Sequence, residues 1–171
     1  DKHFQQYPYL LGWKPCIGDF GLLAPLYAHL GRDPKPLRIM QQQALHVYRW
    51  VERMNRVHQD ASEYYQAGSD YLADDQVPET LLAVLRVIAE DLVPETLAAA
   101  DSINDWLAEN SVPSGERASR YLGKNDSKCR FVVRGQSLET GAQPYRFFQL
   151  QQVQDFYQTC ADQDRATIES L

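Results

Sequence analysis

Residues 9–55 read YLLGWKPCIGDFGLLAPLYAHLGRDPKPLRIMQQQALHVYRWVERMN, and the reading of this stretch decides the fold. At its centre, Cys16-Ile17-Gly18-Asp19 has the form of a helix start. With Cys16 as N-cap, Asp19 is the third helical residue. There its carboxylate reaches back to the Cys16 N–H and faces the positive end of the helix dipole. Pro15 and Phe20 hold the two positions of a hydrophobic staple. Ser or Thr usually opens such a box, and the Cys16 sulfur is a weaker acceptor. Leu22, Leu23, Leu26, Tyr27 and Leu30 follow on nearly every side of the helix, as in a helix buried within a domain. Pro25 lacks an N–H and crowds the Gly21 carbonyl, which predicts a kink, and Gly31 suits the position just past the helix end.

A turn over residues 32–36 leads to a second helix over about 37–57. Met40, Ala44, Val47, Val51 and Met54 step by four and three and mark one buried stripe. Arg49, Arg53 and Arg56 share another face, read as solvated or ion-paired rather than as an anion site. Upstream, residues 1–13 read as an extended, aromatic lead-in, since Pro8 disfavours a regular helix. Downstream, residues 60–76 are acidic and carry three tyrosines, a loop with some helix. Pro78-Glu79 then opens a helical tract to about residue 110. Leu81, Leu85, Ile88 and Leu92 form its stripe, and Pro94 kinks or divides it. Residues 111–128 read as loop. Phe131-Val132-Val133, Arg134-Gly135 and residues 136–140 suggest a small hairpin. Helix returns over 143–161 on Leu150, Val153, Tyr157 and Cys160, and Asp162 or Asp164 caps a short final helix. The expected class is all-α: five or six helices in one packed domain over residues 1–171, with a hairpin near 130–140.

Composition narrows the function classes. Hydrophobic residues make up 44% of the chain and charged residues 23%, as in ordinary globular domains. A net charge of -6 argues against a general nucleic-acid binder. Cys16, Cys129 and Cys160 are too few and too scattered for a disulfide framework or a zinc site, and they suit the reducing cytoplasm. No apolar run approaches the roughly 18 residues of a membrane span.

Three segments carry a family resemblance. YLLGWKPCIGDF resembles the lead into the central helix of the all-helical C-terminal domain of glutathione S-transferases. GLLAPLYAHLGRDP continues as many bacterial proteins of that kind do, and HVYRWVERMN resembles the end of the following helix. Their order and spacing match together. Beyond residue 55 the similarity thins, and residues 77–95 with the closing hairpin and helix resemble the extension of a longer bacterial subgroup.

The resemblance implies a chain that starts partway through the helical domain. The parent would carry a thioredoxin-like N-terminal domain that binds glutathione as co-substrate and activates its thiol for attack on a small electrophile. No cofactor is implied in this chain itself. Its part would be packing and a hydrophobic-substrate pocket, for which Tyr145 and Phe148 are the candidates. A homo-oligomer is expected, because apolar surface would otherwise lie uncovered. The alternative is a non-catalytic helical module that uses the same fold for protein contacts. Asp19 carries over from the family only as a helix cap.

Other readings of single residues are structural. Cys16 at a helix start invites a nucleophile's role, but a substituted cap is the plainer reading. His29, His46 and His58 form no ligand pair at metal spacing, and no metal site, phosphate loop or nucleophile elbow is present in the sequence.

Overall fold

The computed structural model describes residues 1–56, 61–65, 68–117, 119–123 and 127–170. It is mostly helical, with one two-stranded antiparallel sheet. The chain forms two compact units, Asp1–Leu85 and Arg86–Leu171.

The first unit opens on a short helix, α1 (Lys2–Gln6), where the sequence reading expected extended chain. Pro8 lies beyond its end and blocks continuation rather than formation. Helix α2 (Ile17–Leu23) starts at Cys16 as expected. It passes at Ala24 into a π-helical turn, Ala24–Leu30. Pro25 is the physical cause: it has no N–H for the Gly21 carbonyl and pushes the chain into a wider turn. Gly31 does not adopt the left-handed conformation, since its φ is −73°. It is needed for space instead, because a Cβ there would lie 2.8 Å from the Leu26 carbonyl oxygen.

The single helix expected over 37–57 is two: α3 (Pro34–Gln43) and α4 (Leu45–Met54), broken at Ala44. The Asp1 carboxylate accepts from the N–H groups of His46 (2.8 Å) and Val47 (3.4 Å), which caps the first turn of α4. Val57 and His58 lie outside the described residues.

The core of this unit is Phe4, Tyr9, Trp50 and Val51, with Leu22, Leu23, Leu26, Val47 and Met54 packed against it. The Phe4 and Trp50 rings stack at 4.9 Å. The α2 segment is not buried all round. Ile17 and Phe20 are exposed, so the expected staple does not cover Phe20, and Tyr27 and Leu30 also face outward.

Helix α5 (Glu79–Leu107) begins in the first unit and continues into the second, with Pro94 inside it. In the second unit, β1 (Lys128–Val133) pairs with β2 (Gln136–Gly141), Val133 opposite Gln136. Arg134 and Gly135 both have positive φ, 49° and 76°, the two-residue turn whose twist matches a hairpin. Helices α6 (Pro144–Thr159) and α7 (Asp162–Glu169) close the chain. Ala161, not either aspartate, is the N-cap of α7.

The second core gathers Ala99, Ile103, Cys129 and Ala142, with Phe131 and Phe147 against it. The two expected stripes overstate this burial. Leu85, Ile88 and Leu92 of α5 and Val153 of α6 are exposed, as is Phe156 beside them. Among the described residues, no helix is long and apolar enough to cross a membrane.

Candidate functional site

The most organised polar group in the molecule is the Asp19 carboxylate, which is fully buried. Its Oδ2 accepts from the Cys16 N–H at 2.9 Å, the reciprocal half of the capping box. Its Oδ1 accepts from the Leu10 N–H at 3.1 Å and the Trp50 Nε1–H at 3.0 Å. One side chain therefore ties the lead-in, the start of α2 and the middle of α4. The lone pairs of a buried carboxylate must be met, and here backbone and indole donors meet them.

Trp50 is the partner that sequence reasoning missed. Its signal was present: it sits three residues after Val47 and four before Met54, on the same face of α4.

Cys16 holds the capping-box position opposite Asp19: the Asp19 N–H faces the Cys16 sulfur and also donates to the Cys16 carbonyl at 3.0 Å. Burial pushes the thiol above its ordinary pKa. Backbone donation from Asp19 opposes that push, and the Asp19 carboxylate adds to it. An activated thiol needs the reverse shift.

A second buried network lies next to this node. Arg53 is buried, donates to Pro8 O at 3.1 Å and to the Tyr64 hydroxyl at 3.4 Å, and pairs with Glu63. Its Nε has no partner among the described residues. The Tyr64 hydroxyl donates to Phe4 O at 2.5 Å, and burial raises its pKa. Arg53 thus belongs to an ion-paired set, while Arg49 and Arg56 are exposed. His3 is also buried. Its Nε2 meets Tyr9 O at 3.2 Å and its Nδ1 meets Thr80 Oγ1 at 2.9 Å. The carbonyl can only accept, which fixes Nε2–H as the donor and leaves Nδ1 to accept from the Thr80 hydroxyl. Burial lowers the His3 pKa.

The two pocket candidates separate. Tyr145 lines an open groove of 450 Å³ between α5 and α6, with Leu92, Val93, Leu97, Leu150 and Val153. Phe148 lies outside the lining and meets the Tyr145 ring at 6.5 Å. The Arg146–Glu95 ion pair, 2.7 Å, sits at the groove. Of the histidines, His29 is exposed and His46 Nδ1 pairs with Asp1 at 3.0 Å. Among the described residues, no group of three possible ligands is placed to hold a metal ion. The arrangement offers a helix junction held by a buried carboxylate, and an apolar groove.

Comparison with family models, curated proteins and solved structures finds no match.

Proposed function

We propose that the chain is most of the helical C-terminal domain of a glutathione S-transferase-like protein of the cytoplasm. In full length that protein would conjugate or reduce small electrophiles with glutathione, as a homo-oligomer, and the helical part would supply packing and a hydrophobic-substrate pocket. The observation that carries this reading is the Asp19 node. The segments that carry the resemblance are linked through it: Leu10, Cys16 and Asp19 belong to the first segment and Trp50 to the third. Leu22, Leu23 and Leu26 of the second pack against the same core. Tyr145, on the 450 Å³ groove, is the better pocket candidate, and Phe148 is its neighbour.

The test is expression of the complete reading frame and assay of glutathione conjugation to a chloronitrobenzene. The expected result is thiol-dependent turnover, lost when a Tyr, Ser or Cys near the start of an upstream thioredoxin-like domain is replaced. Absence of such a domain, or of turnover, counts against the enzyme. The exposed apolar face of α5 and α6 favours the second reading, a non-catalytic interaction module.

A further inference from the structure

The arginines of α4 share a face by their spacing, and the structure gives them different surroundings. Arg53 is buried, with Glu63 and the Tyr64 hydroxyl held against it. Arg49, one turn earlier, is exposed. It lines a cavity of about 470 Å³ with Tyr48, Glu52, Arg56, Ser62 and Glu63. Arg49 and Glu63 also line a smaller hollow of about 150 Å³ beside Gln5, His46 and Tyr64. The two hollows meet at Arg49 and run along α4, within the first unit.

The polar groups here are unequally engaged. Glu63 is taken up by Arg53 from below. Among the described residues, the Arg49 guanidinium and the Tyr48 and Ser62 hydroxyls make no side-chain hydrogen bond or ion pair. A guanidinium presents its N–H groups as a planar fork that meets two oxygens of a phosphate or carboxylate at once. Two hydroxyls beside it can donate to a further oxygen. A carboxylate has only two oxygens, which the fork alone satisfies. A phosphate monoester has three, with nearly two negative charges at neutral pH. Glu52 faces the same cavity. A carboxylate there repels an anion but accepts from hydroxyl groups. A cavity of this size suits a small molecule, and the net charge of -6 disfavours a long polyanion such as nucleic acid.

We propose that this α4 trough binds a small phosphate monoester that also carries hydroxyl groups, a ligand of the sugar-phosphate kind. Arg49, Tyr48 and Ser62 take the phosphate, and the ligand's hydroxyls donate to Glu52. The site uses none of the residues of the α5–α6 groove and does not rest on the glutathione reading.

Calorimetric titration of glucose 6-phosphate into the 171-residue chain tests the proposal. The expected result is one saturable site with a dissociation constant of about 1 mM or tighter. Losing a charge-assisted contact in Arg49→Gln should raise that constant about tenfold. Arg38→Gln removes the same charge from an exposed position on α3 outside the trough and should leave the constant within about twofold. Circular dichroism checks that each variant keeps native helicity. Inorganic phosphate and gluconate, which lack the hydroxyls and the phosphate respectively, should each bind more weakly than glucose 6-phosphate. Glu52→Gln should narrow the gap between glucose 6-phosphate and inorganic phosphate. Raising salt from about 0.05 to about 0.5 M should weaken binding by screening. No saturable binding at about 10 mM ligand overturns the proposal. So does binding that Arg49→Gln leaves unchanged or that Arg38→Gln weakens equally. Gluconate binding as tightly would overturn the choice of phosphate, and inorganic phosphate binding as tightly would overturn the role of Glu52.

Discussion

Asp19 accepts from three donors, and at least one of them has no other partner if the carboxylate is altered. In Asp19→Asn one oxygen becomes an amide donor. Either Cys16 N–H or the Leu10 and Trp50 pair then faces a donor in a buried site. Each orphaned buried donor costs about 1–3 kcal/mol, so Asn should lower the unfolding free energy by about 2 kcal/mol and Ala by more. Urea unfolding followed by Trp fluorescence reads this directly. An Asn variant within 0.5 kcal/mol of wild type, roughly the scatter of neutral surface changes, would show that the node does not hold the unit together. The Asp19–Cys16 pair was legible in the sequence because a capping box is local: four residues suffice to state it. Trp50 was not, because a side-chain bond over 31 residues leaves no periodic trace. The burial of Arg53 was hidden for the same reason, since its partners Pro8, Glu63 and Tyr64 come from two other segments.

Joins between elements depend on single polar side chains as well. His3 connects α1 to the first turn of α5 through Thr80. Its pKa is held below the ordinary value, chiefly by burial, while the Asp19 charge pulls the other way. The neutral form is therefore the folded form. The stability it contributes is fully present above the unfolded pKa of about 6.5 and is lost as pH falls through the lower, folded pKa. Between pH 6.5 and 5, wild type should lose stability more steeply than His3→Gln, by at most about 1.4 kcal/mol per pH unit for one proton. Parallel pH profiles for the two proteins would exclude this role.

Element boundaries were readable where a residue imposes a conformation. Pro25 marked the irregular turn, and Arg134-Gly135 marked the hairpin. The break at Ala44 was not readable, since QQQALHV contains no helix breaker, and nothing in those residues explains it. The stripes of α5 and α6 show a further limit. Periodicity identifies an apolar face and says nothing of what covers it. Leu81 and Ile103 are buried, while Leu85, Ile88, Leu92, Val153 and Phe156 are not.

For the whole molecule, the helical class was legible because helix starts and apolar steps are local signals. Of the two pocket candidates, Tyr145 lines the α5–α6 groove and Phe148 does not. The proposed family reading rests on the resemblance of three segments, of which the first and third share the Asp19 junction. By that reading, the residues that hold glutathione belong to a domain outside these 171 residues. Calorimetric titration of glutathione into two proteins, the product of the complete reading frame and the 171-residue chain, tests this most directly. The account predicts saturable binding by the complete protein and none by the chain alone. Micromolar binding by the chain alone, or no binding by the complete protein, would contradict it.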